Sequence, residues 1–415
     1  MRRLGLLVLC DVVDRVGGTE SYLSRVLPAL ARSGVEVTIV GRRVVQPHAF
    51  GPEATEISWG SDDEAARPAA ARAVAKLVAT LRPDVVMTSN VHDAAVIAAA
   101  RTAPQLIVRV HDHRLFCPQG DRQFPHFPRL CTQAMSPGAC IANAVVRGCC
   151  SGASAKTLRL VGARQALREV MLQADRFVVA SKFVADLCAK NGVERERIVT
   201  IPPPFDGEEV SEAAPRPGRD RVLFAGRLVR DKGLASLIEA LAFLPPHERP
   251  ALAVAGAPTR ESLPMPAFAA ARGVQLAMLG RLDPDELNAQ IDAATLVAVP
   301  SLWPEPFGLM GIEAQARGRP VVAYDVGGIS EWMGAAGVLV PRGDARALAS
   351  AIRTTVDPLR WLEFSAAALR QAPRYRLERH VAPLVNVMLD GPAVRAFEVA
   401  PERAREASRV LFDPA

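Results

Sequence analysis

Glu305 and Glu313 stand eight residues apart in the stretch Trp303-Pro304-Glu305-Pro306-Phe307-Gly308-Leu309-Met310-Gly311-Ile312-Glu313. They are the side chains of this chain best placed to do chemistry. Prolines flank Glu305, which puts it on a loop. Glu313 falls two turns into the helix that should follow, over 309–317. Between the two acids, the backbone N–H groups of Phe307, Gly308 and Leu309 lie at the helix start, where no intrahelical acceptor exists. Carboxylates accept hydrogen bonds from hydroxyls, and a helix N-terminus attracts phosphate. The series suits a ligand with hydroxyls at both ends and phosphate between them, such as a nucleotide sugar. A fully helical stretch would separate the acids by ~12 Å at ~1.5 Å per residue, about the reach from a sugar to a ribose across a diphosphate. Each acid alone is also an ordinary N-terminal or solvated carboxylate. Leu309, Met310 and Ile312 make one helix face apolar, however, so Glu313 needs a partner or a ligand.

A second group of residues carries positive charge. The strand-like run 221–225 ends in Gly226-Arg227, and Lys232-Gly233 opens the next helix. Two cations at a strand-to-helix turn can neutralise a diphosphate. A solvated basic turn is the ordinary alternative. Both groups sit at strand carboxyl ends of one domain, which favours a shared ligand. His111-Asp112-His113 has a different ambiguity. Alternate residues of a strand share a face, so the two histidines have the spacing for a metal, but no ligand beyond Asp112 is evident.

Five of the seven cysteines, Cys117, Cys131, Cys140, Cys149 and Cys150, fall within 34 residues, with Cys10 and Cys188 elsewhere. The intervals of 13, 8 and 8 intervening residues match no standard zinc pattern. Disulfides are disfavoured in a cytosolic protein. Buried unpaired thiols, a structural metal and disulfides all remain open readings.

The chain has 415 residues, enough for two domains, and its 49% hydrophobic and 23% charged content is that of a globular protein. No apolar run approaches the ~18 residues of a membrane span. The run 4–10 is broken by Asp11 and reads as a buried strand rather than a signal peptide, so a cytoplasmic protein is expected. The net charge of +6 fits either a solvated basic surface or attraction to nucleotide, phosphate or acidic lipid. Nucleic acid is not an expected partner, since no motif for it is evident. The segment 155–172, with Lys156, Arg159, Arg164 and Arg168, suits two descriptions. It is either a core-facing helix or a helix lying peripherally on an anionic membrane at its inner face, near a lipid-linked acceptor.

Strand-like runs at 4–10, 35–40, 84–88, 106–110 and 176–180 alternate with helix-like segments at 20–32, 64–81 and 161–173. The proline-rich stretch from Pro202 to residue 219 breaks the pattern. Strands then follow at 221–225, 251–255, 274–279, 295–299, 320–324 and 337–340, with helices at 233–243, 284–293, 309–317 and 345–355. The alternation predicts an α/β chain of two doubly wound, Rossmann-like domains facing a cleft. The expected boundaries are 1–204, with a cysteine-rich insertion at about 114–152, then 205–375, then a helical segment 376–415 packing back on the first domain. No G-x-G-x-x-G follows an expected strand, which argues against a dinucleotide-dependent oxidoreductase.

Taken in order, the chain resembles the retaining glycosyltransferases of family 4, which have the GT-B fold. The resemblance runs through Gly17-Gly18-Thr19-Glu20, His111-Asp112, Phe224-Ala225-Gly226-Arg227 and Asp231-Lys232-Gly233. It continues in Pro300-Ser301, Glu305-Pro306-Phe307-Gly308, Glu313-Ala314, Gly318-Arg319-Pro320-Val321-Val322-Ala323 and Gly327-Gly328. It implies that Arg227 and Lys232 hold the donor diphosphate and that Glu313 receives the ribose hydroxyls. Glu305 and the backbone of Phe307, Gly308 and Leu309 would hold the transferred sugar and nearby phosphate. Gly17 and Gly18 would form a first-domain loop that approaches the reacting centre, and His111 would contact the donor sugar. Arg281 and Leu282 would line the base pocket. The implied reaction is front-face transfer with retention, the departing diphosphate taking the acceptor's proton. It needs no divalent metal and no cofactor beyond the nucleotide-sugar substrate. The acceptor class, whether carbohydrate, lipid-linked or small molecule, is not specified, nor are the donor's sugar and base. Some family members resemble the chain in the cysteine insertion too, without a role to transfer. A nucleotide-sugar epimerase of the same fold would bind the same donor without an acceptor. A non-catalytic scaffold is disfavoured because Arg227, Lys232, Glu305 and Glu313 are all present.

Overall fold

The computed structural model describes residues 3–390, apart from 15–16, 51–53, 58, 60–65, 125–126, 153, 206–209, 211, 214, 217 and 219. It divides into two units. One holds the described residues up to Pro204 and those from Leu377 on, and the other runs from Phe205 to Arg376.

The first unit is built on β1 (Gly5–Val13), β2 (Glu36–Val44), β3 (Ala54–Glu56), β4 (Val85–Ser89) and β5 (Gln105–Val110). Its other strands are the hairpin β6 (Gln123–Phe124) and β7 (Phe127–Leu130), then β8 (Arg176–Val179) and β9 (Ile198–Thr200). Its helices are α1 (Gly18–Arg32), α2 (Ala66–Leu81), α3 (Ala94–Ala100), α4 (Pro137–Arg147), α5 (Ala155–Met171) and α6 (Lys182–Lys190). The sheet order is β3-β2-β1-β4-β5-β8-β9, with all neighbours parallel. Successive side chains of a strand face opposite ways, and β1 shows it. Leu6, Val8 and Cys10 pack with Tyr22, Leu23 and Leu27 of α1, and Leu7 and Leu9 pack with residues of α2, α3 and α5. Both faces are covered, which is why the strand reads as one apolar run.

The second unit orders β10 (Arg221–Ala225), β11 (Ala251–Ala255), β12 (Leu276–Gly280), β13 (Leu296–Val299), β14 (Val321–Asp325) and β15 (Gly337–Pro341) as β12-β11-β10-β13-β14-β15. Its helices are α7 (Leu234–Phe243), α8 (Met265–Ala270), α9 (Pro284–Asp292), α10 (Leu309–Ala316), α11 (Ile329–Met333), α12 (Ala345–Val356) and α13 (Pro358–Gln371). In both sheets the order reverses beside the first strand, between β1 and β4 and between β10 and β13. Those are the switch points beyond which such sheets bind ligands.

Several elements depart from the sequence reading. β1 continues past Asp11 because Arg42 of β2 meets that carboxylate, Nε to Oδ1 at 2.5 Å. α5 starts before residue 161 because the Ser154 hydroxyl accepts from the Thr157 N–H. Its buried stripe, Thr157, Val161, Leu167 and Met171, makes it a core-facing helix. Arg164 and Arg168 donate to the carbonyls of Pro118 and Asn191, while Lys156 and Arg159 are exposed. The last described helix, α14 (Leu377–Leu389), joins the first unit, where Val381, Leu384 and Met388 enter the core of β1 and α1. Residues 391–415 of the expected C-terminal segment lie outside the described residues.

The turn after β10 depends on Gly233, which has φ +78. A Cβ there would lie 1.8 Å from the Pro300 carbonyl oxygen at the end of β13. Gly233→Ala is therefore expected to destabilise the second unit by at least ~2 kcal/mol, through positive φ and overpacking together. Chemical denaturation followed by tryptophan fluorescence measures this. An unchanged midpoint would show that the turn moves freely away from β13.

Candidate functional site

At the carboxyl ends of β10 and β13, two loops are tied together. The Asp231 carbonyl accepts from the Leu302 N–H at 2.7 Å. Lys232 ends a short 3-10 turn, Arg230–Lys232, and donates from Nζ to Glu305 Oε1 at 2.6 Å. The Ser301 hydroxyl donates to the same oxygen at 2.7 Å. Lys232 also lies over the Trp303 ring, 5.4 Å from its centroid. Glu305 is only 5% exposed. Burial alone would raise its pKa, but the charge and hydrogen bond of Lys232, with help from Ser301, hold it below the usual carboxylate range. Glu305 is thus a buried anion at neutral pH, and Lys232 is its counter-ion.

The glycines of this region position the acid. Gly328 donates its N–H to the Glu305 carbonyl at 2.8 Å. Gly327, at φ +64, lies so close that a Cβ would approach the same oxygen to 2.2 Å. Gly308, at φ +97, turns the chain into α10, and Trp332 Nε1 donates to the Phe307 carbonyl at 2.6 Å. Gly311 leaves room for the Trp332 ring on the next turn. Phe307 is buried, whereas Gly308 and Leu309 are half-buried at the helix start, where N–H groups lack intrahelical acceptors. Glu313 is half-buried and already engaged within the protein. The helix begins at Leu309, so Glu313 is its fifth residue, just past the first turn and not two turns in. Arg227 is exposed beyond β10. Arg281 and Leu282 follow the edge strand β12, with Arg281 exposed and Leu282 half-buried. The structure thus joins Lys232 directly to Glu305. It puts Phe307, Gly308, Leu309 and Glu313 on one loop-helix junction, and leaves Arg281 and Leu282 at the sheet edge.

The corresponding edge of the first unit holds a different set. Gly17 caps α1 and Gly18 opens it. Asn90, at φ +58 after β4, donates to the Thr19 hydroxyl at 2.9 Å. Ser89 Oγ and His111 Nε2 are 2.8 Å apart. Tyr22 stands edge-on to His111, with ring centroids 5.1 Å apart, and edge-on to His380 of α14 at the same spacing. The guanidinium of Arg109, itself 2% exposed, lies 4.8 Å from the Tyr22 ring centroid. His380 Nδ1 meets the Pro202 carbonyl at 2.8 Å and its Nε2 meets the Tyr22 hydroxyl at 2.7 Å. A carbonyl can only accept, so in the neutral ring Nδ1 carries the proton and Tyr22 donates to Nε2. Burial, then Arg109, pushes His380 down to about 3. His111 is held well below the imidazole range by burial, then Arg109, with Asp112 pulling the other way and His380 adding to the depression. The remaining members of the triplet turn elsewhere, Asp112 to His92 and Arg114, and His113 to the Phe183 ring.

Tyr22, Arg109, Ser89 and His380 are absent from the sequence reading. Arg109 left one signal, a charge inside an apolar strand run. His380, far along the chain, left none.

Two family models adjoin along the chain. One, described as Glycosyltransferase Family 4, matches residues 16–209, and the other, Glycosyl transferases group 1, matches 207–357. The chain belongs to glycosyltransferase family 4. It is 34% identical to the D-inositol 3-phosphate glycosyltransferase of Nocardia farcinica over 194 residues, 42% of this chain and 43% of that protein. It is also 34% identical to D-inositol 3-phosphate glycosyltransferase 1 of Catenulispora acidiphila over 279 residues, 61% of this chain and 65% of that one. The chain therefore spans less than two thirds of either relative. Among solved structures it resembles HepE from Anabaena, determined with UDP and glucose, at a TM-score of 0.68 and 19% identity, covering 94% of this chain and 100% of that one. That likeness is one of fold, and the fold is GT-B.

Two stability predictions follow from these networks. His380 binds a proton less readily folded than unfolded, so its contribution is present above about pH 6.5 and is lost as pH falls towards 3, at ~1.4 kcal/mol per pH unit. His380→Gln is expected to weaken the first unit at neutral pH by about 1–3 kcal/mol and to flatten that acid dependence. Urea titrations across pH test it, and an unchanged slope would remove His380 from the account. In the second unit, Lys232→Ala strands a buried carboxylate and is expected to cost about 3 kcal/mol or more. Adding Glu305→Gln should restore at least half of that loss. Simple additivity of the two substitutions would show that the pair is not coupled.

Proposed function

We propose that this chain is a retaining glycosyltransferase that moves a sugar from a nucleotide-diphosphate donor to an acceptor. The observation that carries this reading is the ion pair of half-buried Lys232 with buried Glu305 beside the start of α10, at the β10/β13 switch point. The site offers an exposed Arg227, a charged lysine paired with an internal acid, helix N–H groups without intrahelical acceptors and, past the first turn, Glu313. An anion approaching Lys232 meets a cation whose desolvation has already been offset by Glu305.

In this reading the diphosphate lies against Arg227, Lys232 and the α10 N-terminus, the ribose hydroxyls donate to Glu313, and Arg281 and Leu282 border the base. Glu305 and the backbone of Phe307, Gly308 and Leu309 hold the transferred sugar. The bond from the anomeric carbon to the diphosphate oxygen breaks as the acceptor oxygen bonds the same face. The departing diphosphate takes the acceptor's proton. Charge develops on that diphosphate, and preorganised donors there supply the rate. Gly17 and Gly18 keep their loop free of side chains, and the role the family resemblance gives His111, a contact to the donor sugar, suits a neutral imidazole. No metal or other cofactor enters this scheme. HepE was determined with UDP and glucose, which makes a UDP-sugar the first donor to try. The two relatives are D-inositol 3-phosphate glycosyltransferases, which makes a phosphorylated polyol one acceptor to try. No helix among the described residues is long and apolar enough to cross a membrane. The exposed Lys156 and Arg159 leave a basic face on α5 for peripheral contact with an anionic membrane, where a lipid-linked acceptor would lie.

A thermal-shift screen against nucleoside diphosphates and nucleotide sugars, followed by NMR assignment of the product anomer, tests the proposal. One base is expected to stabilise the protein over the others, and the product should keep the donor's anomeric configuration. Arg227→Ala is expected to lower turnover by ~10²–10³, the effect of losing one charge-stabilising donor, with little change in melting temperature because Arg227 is exposed. Stabilisation by no nucleotide, or an inverted product, would sink the reading.

A further inference from the structure

All five clustered cysteines, Cys117, Cys131, Cys140, Cys149 and Cys150, line a single pocket in the first unit. The pocket holds about 470 Å³ of empty space, part of it open to solvent. All five are free thiols. The walls come from the loop 116–122 leading into β6, from the segment 131–135 that follows β7, from α4 and from the short 3-10 turn Cys149–Ser151. The proposed transfer reaction uses none of these residues.

The backbone around the pocket is arranged to favour sulfur anions. The turn Cys117-Pro118-Gln119-Gly120 bends sharply at Gly120, φ +89, and brings the backbone of Gln119, Gly120 and Arg122 up to the Cys117 thiol, where it favours the thiolate against burial. The Gln119 backbone acts on the Cys150 thiol in the same way. Cys140 lies at the end of the first turn of α4, where the helix dipole and the Ser136 backbone both favour negative charge. The buried Arg122 guanidinium favours its ionised form too. Arg122 and Cys150 both hold φ +54, a left-handed conformation uncommon for residues with a side chain. The Thr157 hydroxyl ties down the second, within 2.7 Å of the Cys150 carbonyl oxygen and 2.6 Å of that of Gly152. Such conformations persist where the surroundings over-determine them, often at ligand sites.

The five sulfurs around one pocket exceed the four that a tetrahedral, thiophilic dication takes. Such an ion would hold its ligands as thiolates, with nearby backbone N–H groups as its outer shell.

We propose that this pocket binds one thiophilic divalent cation of the zinc type through four thiolates, Cys117, Cys140 and Cys150 among them, with the fourth from Cys131 or Cys149. Each ligand thiol releases its proton to solvent and no sulfur changes oxidation state. Arg122 offsets part of the charge left on the tetrathiolate. Among the described residues no three of these side chains form a metal-holding group, so binding requires the sulfurs to move inward. Its role is structural, cross-linking the loop that carries Cys117, α4 and the Cys149–Ser151 turn, as expected of a closed four-sulfur site.

Elemental analysis of the full chain, purified under reducing conditions without added chelator, is expected to find about one zinc per chain. Reconstitution of chelator-stripped protein with Co²⁺ should give the thiolate charge-transfer and d–d bands of a tetrahedral sulfur site. Cys117→Ser and Cys150→Ser should each abolish these bands, while Cys188→Ser, outside the pocket, should keep them. If the pocket variants fail to fold, titrating the wild-type protein with a mercurial must release its zinc in step with thiol modification. Metal-free protein that also gives no cobalt spectrum would overturn the proposal. So would disulfides among the five cysteines in that protein, or full metal retention by the Cys117→Ser, Cys150→Ser double variant.

Discussion

The buried pair between Lys232 and Glu305 sets the terms for the rest of the second unit. Around it are the positive φ of Gly233, the clasp of Asp231 on Leu302, the hydroxyl of Ser301 and the close approach of Gly327 to the Glu305 backbone. Each of them brings two loops to one point or satisfies what meets there. Two apolar residues of matching volume would hold those loops at least as well, because an ion pair loses much of its attraction to desolvation. The pair therefore makes more sense as a feature kept for a ligand. It holds a half-buried lysine with its charge intact, at the end of the sheet where phosphate would lie. The adjoining helix start supplies further donors without needing a second fixed cation in the core.

How far the sequence could be read depends on how local each feature is. The second-unit site was legible because its parts lie on two short segments, 226–233 and 300–313, each announced by glycine or proline beside a strand end. What the residues could not show was that Lys232 and Glu305 touch, since that contact joins loops 73 residues apart and depends on β10 and β13 being neighbours. The environment of His111 was less legible still. It is assembled from Tyr22 on α1, Arg109 on β5 and His380 on α14, segments with no local pattern in common. The strands of both sheets stood out because parallel strands buried on two faces are continuous apolar runs. Short elements did not, as with the alanine-rich α3 and the three-residue β9, which lack the length to show a period. β1 outran its apolar stretch because the partner of Asp11 sits on another strand.

The two units use one topology to opposite electrostatic ends. Each reverses its strand order beside its first strand, and each places a glycine-bearing turn at the following helix. At the first unit's edge, burial and the nearby Arg109 keep His111 and His380 neutral, and Tyr22 is held protonated by burial. At the second unit's edge, a lysine and a glutamate are both kept charged. Neutral imidazole and hydroxyl groups suit the hydroxyls of a sugar, where a fixed charge would add desolvation cost without matching any charge on the ligand. A fixed cation with a helix N-terminus suits phosphate, whose charge grows as the glycosidic bond breaks. Under the proposed reaction, the charge that grows on the departing diphosphate falls to the charged unit. Arg109 keeps the first unit's edge neutral even though it is a cation. It lies beneath the Tyr22 ring, buried, and acts on the histidines by holding them uncharged.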